Sequence, residues 1–174
     1  MLEDKWDITY INITKEYAKH SKCAAKKVAC ILVKDNNIIG VGVNGTLPGK
    51  TNCCDKFYKD WTLNSNGEWI SEWYKHDENG KWVKCDKEEH HEWSKLNETH
   101  AEVNAIAKAN KNGVSVEGAT AYVTLSPCYN CCKILTTFGI KRIVFKDRYD
   151  DFDKVIEYLN DNNVIVKEFI DYEW

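Results

Sequence analysis

The chain has 174 residues, 43% of them hydrophobic and 29% charged, with a formal net charge of -3. That length predicts a single domain over 1–174 with one good core, and the composition is that of a globular protein without the ~18-residue apolar run of a membrane span. A negative balance gives a polyanion no general attraction, which argues against a nucleic-acid partner and leaves room for a small anionic ligand held by local cations.

The opening MLEDKWDITYINITKEY lacks the basic and apolar pattern of a secretory leader, so the protein is expected to stay in the cytoplasm. A helix is predicted over about residues 5 to 20. Two strands follow, KVACILV and IIGVGVN, with KDNN between them as a hairpin turn, so they must run antiparallel. From about 55 to 97 the chain turns polar, holds five of the seven Trp and contains Asn-Gly at 66–67 and 79–80, which reads as an insertion of one small hairpin or two turns. The similarity of NGEW to NGKW is too short for a repeat architecture. Trp69, Trp73 and Trp82 are expected to cover a patch of surface or core rather than to stack on nucleic acid.

Regular alternation then resumes. A helix from about Thr99 to Lys111 ends at Asn112-Gly113, the strand ATAYVTL follows, and a helix begins near Pro127. The strand RIVFK, a helix near Asp151 to Leu159 and the strand VIVKEF complete the chain. Alternating strands and helices imply crossover connections, so the expected fold is a three-layer α/β/α domain around a mixed five-stranded sheet, carrying an inserted Trp-rich segment.

There are eight cysteines, and a reducing compartment favours metal or catalytic use for them over disulfides. Cys128 and Cys131, three apart behind Pro127, can converge on one helical face, and His100 opens the helix before. Two thiolates and an imidazole make three ligands for Zn²⁺ and leave a fourth position open, as in catalytic zinc sites. Helix N-termini would further favour thiolate there. Glu102, two residues past His100, points about 200° around a helix from it, so it is expected beside the metal as a proton shuttle and not as a ligand. Taken singly, a histidine at a helix start is most often a cap, and a lone Cys-x-x-Cys a buried or redox pair. The combination His-x-Glu, strand, Pro-Cys-x-x-Cys is the general signature of zinc nucleobase deaminases.

On these motifs the chain resembles the cytidine deaminase superfamily, and within it the deoxycytidylate (dCMP) deaminases of bacteriophage and viral type. The resemblance runs through SKCAAKKVACILVKDNNIIGVGVNGT, NCCD, HEWSKLNETHAEVNAI, EGATAYVTLSPCYNC and GIKRIVFKDRYD. It implies zinc-assisted hydrolysis at C4 of cytosine, converting dCMP to dUMP and ammonia for thymidylate synthesis, with Glu102 moving the protons. It further implies base contacts from backbone around Ala101 and Ser126, a deoxyribose contact from Asn44 and a phosphate contact from Tyr149. Lys111 is a weaker phosphate candidate, since a solvated helix-end lysine is equally ordinary.

The resemblance also implies a second, structural zinc, held by Cys23, Cys53, His90 and Glu98, with His91 or Cys54 able to replace its neighbour. Such a site would fix the ends of a polar insertion that buries little apolar surface. Cys30, Cys85 and Cys132 carry no expected role. Family members form homohexamers regulated by dCTP as activator and dTTP as inhibitor, and a viral member would act in the host cytoplasm. Here the usual Gly-Tyr-Asn-Gly of the effector region reads Gly42-Val43-Asn44-Gly45 and lacks the aromatic ring. The rival readings are a deaminase of dCTP or a nucleoside, a tRNA or single-stranded DNA deaminase, and a nucleotide-binding regulator without activity. The regulator would be expected to have lost Glu102.

Overall fold

The computed structural model describes residues 2–149 and 152–170. Helix α1 spans Leu2–Ala18, and strands β1 (Ala29–Lys34) and β2 (Asn37–Val43) follow it. Asp35 and Asn36 turn this hairpin at φ 49° and 60°, the left-handed pair that a two-residue turn needs and that Asp and Asn tolerate. Next come β3 (Gly45–Thr46), the short α2 (Cys53–Lys56), β4 (Phe57–Leu63), β5 (Trp69–His76), β6 (Trp82–Cys85), α3 (Lys87–Asn97) and β7 (Glu98–Thr99). The remaining elements are α4 (Ala101–Lys111), β8 (Thr120–Leu125), α5 (Tyr129–Thr137), β9 (Arg142–Asp147), α6 (Phe152–Asp161) and β10 (Ile165–Glu168). Asp151, expected to start α6, lies outside the described residues.

The chain divides into two compact units, the first drawn from Met1–Ser21, Val28–Asn44 and His100–Trp174, the second from Lys22–Lys27 and Gly45–Thr99. In the first, a five-stranded sheet has the order β10-β9-β8-β1-β2. Its β8, β9 and β10 run parallel, while β1 is antiparallel to both β8 and β2. Strand β1 is buried along almost its whole length, as a strand covered on both faces must be. On one face Tyr10 and Ile11 of α1 pack with Ile31, Val33, Tyr122 and Val144. On the other, Ala105 and Ala109 of α4, Leu135 of α5 and Leu159 of α6 pack with Cys30, Leu32, Val123 and Ile143. The expected α/β/α layering with a mixed five-stranded sheet is therefore present.

Helix α4 lies close against β2. A Cβ on Gly40 would lie 2.4 Å from Ala105 O, and one on Gly42 would lie 2.1 Å from Ala101 O, so these two glycines let the helix backbone rest on β2. Asn104 adds a bond from Nδ2 to Val43 O at 2.8 Å. Beneath α1, the buried Asp7 carboxylate accepts from Arg142 at 2.6 and 2.8 Å, from Lys167 at 2.9 Å and from Tyr122 Oη at 2.9 Å, tying the helix to three strands.

The second unit shows that the insertion is more structured than one hairpin or two turns. It forms a three-stranded antiparallel sheet β4-β5-β6, followed by α3. Both Asn-Gly pairs sit at its turns, with Gly67 at φ 78° and Gly80 at φ 73°. Each turn is built alike: Asn64 Oδ1 accepts from the backbone N–H of Asn66 and Glu68, and Asp77 Oδ1 from those of Asn79 and Lys81. The short NGEW and NGKW similarity is thus one turn design used twice. Trp73 is buried, whereas Trp69 and Trp82 are exposed.

Candidate active site and metal centres

The helix expected from Thr99 starts later, at Ala101, because Glu98 and Thr99 pair with Thr46 and Gly45 instead. His100 is left as the N-cap of α4 at φ -68°, ψ 152°, and Cys128 is the N-cap of α5 at φ -70°, ψ 165°. Each cap stands at the positive end of a helix dipole, which favours a thiolate or an anionic ligand there. Cys131, in the first turn of α5, places Sγ 3.3 Å from His100 Nδ1, and Cys128 Sγ lies 3.6 Å from the same nitrogen. With bonds of ~2.3 Å to sulfur and ~2.0 Å to nitrogen, tetrahedral zinc requires S···N edges of about 3.5 Å. The three donors therefore fit one such ion, and exposed His100 keeps the cluster open to solvent.

The electrostatics agree with that donor set. A hydrogen bond from Cys131, helped by His100, holds the Cys128 thiol down at about 4, and the same bond pushes Cys131 up. A dication bound there would displace the proton of that bond and hold both sulfurs as thiolates. Glu102 is 3% exposed. Burial raises its carboxyl above the ordinary range, and it lies within hydrogen-bond reach of Cys131 while standing outside the donor triad. Since His100 precedes the helix, the 200° helical angle does not describe the pair; what separates them is depth, the carboxyl being buried and the ring exposed.

Of the expected substrate contacts, Ala101 and Ser126 are both buried and adjoin the two caps. Ser126 N donates to Asp147 O at 2.7 Å, and Ser126 Oγ accepts from Tyr149 N at 2.7 Å, so Tyr149 is fastened to the strand end that leads into Cys128. Asn44 follows β2 at the open end of the β1–β2 hairpin, where its backbone N–H donates to Val28 O at 3.0 Å. Lys111 stands at the opposite end of α4 from His100, about 16 Å along the axis at about 1.5 Å per residue, and is not brought to the triad.

In the second unit Cys23, Cys53, His90 and Glu98 form a four-donor cluster with all ligand atoms within 4.8 Å of one another. Cys53 Sγ lies 3.2 Å from His90 Nε2 and Cys23 Sγ lies 3.3 Å from Glu98 Oε2, again close to the edges of a zinc tetrahedron. Ala24 N–H donates to Cys53 Sγ at 3.2 Å, and a hydrogen bond from Cys53, with backbone N–H groups of Ala25 and Lys26, holds Cys23 down at about 3. Burial lifts Glu98 to about 7, and its Oε1 is buried with no hydrogen-bond partner among the described residues. Such an orphaned oxygen beside two thiols is a donor suited to a cation. Cys54 and His91, the possible replacements, are exposed and lie outside the cluster.

Sequence reasoning missed how this cluster is oriented. Ser94 Oγ donates to Glu98 Oε2 at 2.6 Å, a contact announced only by the four-residue spacing. The His90 ring is held by Trp73, with ring centres 4.5 Å apart, and edge-on by Phe57 at 5.2 Å.

Among the described residues no helix is long and apolar enough to cross a membrane. Residues 4–147 match the family described as the cytidine and deoxycytidylate deaminase zinc-binding region. The deoxycytidylate deaminase of Enterobacteria phage T4 is 40% identical over 150 residues, covering 82% of this chain and 78% of that protein. The human deoxycytidylate deaminase is 32% identical over 152 residues, covering 86% and 70%. The crystal structure of dCMP deaminase from the cyanophage S-TIM5 in complex with dCMP and dUMP superposes with a TM-score of 0.68 at 26% identity, covering 95% of this chain and 97% of that one. With the zinc-type triad, the buried acid beside it and a family match over most of its length, the chain belongs to the cytidine and deoxycytidylate deaminases, a family of hydrolytic enzymes.

Proposed function

We propose that this protein hydrolyses dCMP to dUMP and ammonia, feeding thymidylate synthesis in the cytoplasm. The carrying observation is the solvent-open triad of His100, Cys128 and Cys131 with the buried Glu102 carboxyl beside it. The choice of dCMP is supported by the phage T4 and human relatives, both deoxycytidylate deaminases, and by the nucleotides in the cyanophage structure.

Zinc held by His100, Cys128 and Cys131 would supply the Lewis acidity that makes a water ionisable near neutral pH. The water oxygen bonds to C4 while Glu102 takes up the water's two protons in turn, passing the first to N3 of cytosine and the second to the departing amine, so that the C4–N bond breaks and ammonia leaves. Its burial suits this work, because a carboxyl raised above its ordinary range both accepts and returns a proton readily. Backbone at Ala101 and Ser126 holds the base edge, Asn44 meets the deoxyribose hydroxyl, and Tyr149, fastened to Ser126, meets the phosphate. Lys111 is assigned no contact, given its place at the far end of α4.

Cys23, Cys53, His90 and Glu98 would hold a second zinc. Its four donors are mostly buried and leave no position open, the arrangement of a structural site, and it secures the insertion of about 55–97 within a single domain. By family resemblance the enzyme is a homohexamer activated by dCTP and inhibited by dTTP, with Val43 where relatives carry an aromatic ring. The test is a side-by-side assay on dCMP, dCTP, deoxycytidine, an oligonucleotide and RNA, with zinc counted per subunit and with dCTP or dTTP added to the dCMP reaction. Fast turnover of dCMP with two zincs is expected. Preference for a polynucleotide or for deoxycytidine would overturn the substrate assignment, and an unaltered dCMP rate would overturn the regulation.

A further inference from the structure

The proposed sugar contact, Asn44, is bonded in an unusual way. Its backbone N–H donates to Val28 O at 3.0 Å, continuing the β1–β2 ladder one step past the Ala29–Val43 pair. The return bond is not made by its carbonyl. Val28 N–H donates instead to the side-chain Oδ1 at 2.8 Å, so the amide takes the ladder place of the main-chain oxygen. Ser21, 2% exposed just after α1, stands against the same side-chain oxygen: its Oγ lies 2.6 Å from Asn44 Oδ1, nearer than the 3.0 Å to Asn44 O, so its single hydroxyl proton goes to Oδ1.

An amide oxygen has two lone pairs, and the amide nitrogen only donates. Val28 N–H and the Ser21 hydroxyl together occupy both lone pairs of Oδ1. A flipped amide would set its NH₂ against the Val28 N–H, leaving a half-buried donor facing a donor. Because oxygen and nitrogen diverge from one carbon, this pinning turns Nδ2 away from Val28 and Ser21. The Asn44 side-chain amide can then meet a ligand only through its Nδ2 donor.

We propose that Ser21 is a positioning residue that locks the Asn44 amide with its NH₂ toward the sugar, so that the enzyme reads the deoxyribose hydroxyl as a hydrogen-bond acceptor. This inference rests on the reading of Asn44 as the sugar contact given above. Selection for the hydroxyl then depends on a side chain that itself touches no substrate.

The experiment compares kcat/KM for dCMP and for 2′,3′-dideoxycytidine 5′-monophosphate, which lacks the hydroxyl, in the zinc-loaded wild-type enzyme, Ser21→Ala, Ser21→Thr and Asn44→Ala. Taking the ratio of the two substrates on one preparation cancels any loss of folded enzyme. Asn44→Ala should abolish the preference for dCMP. Ser21→Ala should reduce it by about fivefold, the worth of one neutral hydrogen bond, with the dideoxy substrate unaffected. Ser21→Thr, which keeps the hydroxyl, should retain the wild-type ratio and answers the case in which the alanine variant does not fold. An unchanged ratio in Ser21→Ala, with the preference lost in Asn44→Ala, would overturn the positioning role while leaving the sugar contact. Equal loss on both substrates in Ser21→Ala would make Ser21 merely structural and overturn it too. An unchanged ratio in Asn44→Ala would overturn the sugar contact itself, and the inference with it.

Discussion

Replacing Gly42 by alanine should move the catalytic helix without touching a catalytic side chain. The added Cβ would lie 2.1 Å from Ala101 O, 2.3 Å from Ala105 N and 2.8 Å from the Asn104 carbonyl carbon. All three are backbone atoms of α4, so no rotamer change relieves the overlap, and the first turn must retreat from β2 by about an ångström to reach ordinary contact. Overpacking of this kind costs about 1–3 kcal/mol, which for a chain of this size lowers Tm by roughly 3–9 °C. The retreating turn carries Ala101 and Glu102 and begins at His100. An ångström of misplacement in a catalytic group costs on the order of 10²-fold in rate, so kcat on dCMP should fall about that much in enzyme that still folds. Gly67→Ala is the control: nothing lies within 4 Å of its Cβ, and only the left-handed φ of 78° resists the change, so stability should drop by about 1 kcal/mol while kcat stays. Circular dichroism melts and steady-state kinetics on both variants decide the matter. Wild-type kcat and Tm in Gly42→Ala would refute the claim that glycine is what seats α4.

Glu102→Ala should bind zinc normally and turn over at least ~10²-fold more slowly, as expected for a lost proton carrier; atomic absorption with a dCMP assay checks both parts, and retained activity would place the proton carrier elsewhere. Cys53→Ser or Glu98→Ala should lower zinc by one ion per subunit and expose residues 55–97 to protease, because the donor cluster anchors that segment; unchanged stoichiometry and resistance would remove the second site. At neutral pH Asp7→Asn should cost about 2 kcal/mol, less than a fully buried pair because Arg142 and Lys167 are partly exposed. Burial raises the Asp7 carboxyl, but bonds from Arg142, Lys167 and Tyr122 outweigh it and hold the pKa below its ordinary value. That contribution is complete above about pH 4, the unfolded value, and is lost as pH falls through the lower folded value. Denaturant melts of the two proteins should therefore converge in strong acid, and a constant gap from pH 7 to pH 2 would sink the assignment.

The layered fold and the metal ligands were legible along the chain because their information is local. Alternating strand and helix periods imply a covered sheet wherever they occur, and His-x-Glu with Pro-Cys-x-x-Cys brings its own ligand spacing. The second ligand set was readable only through resemblance, because Cys23, Cys53, His90 and Glu98 have no regular spacing; in the structure Cys53 and His90 meet in the cluster while Cys54 and His91 are exposed. Composition also understated the insertion, since a polar stretch hides a meander whose turns are held by Asn64 and Asp77 acting on their own backbone. Long-range contacts outside the two ligand sets escaped. Nothing in the order of residues announces that Gly40 and Gly42 face α4 or that Ser21 reaches Asn44 across 23 positions. A sequence determines which side chains can do chemistry and what local shape carries them. Which of them meet, and which atom of an amide is turned toward a ligand, is decided by close packing and by the need to pair every buried donor.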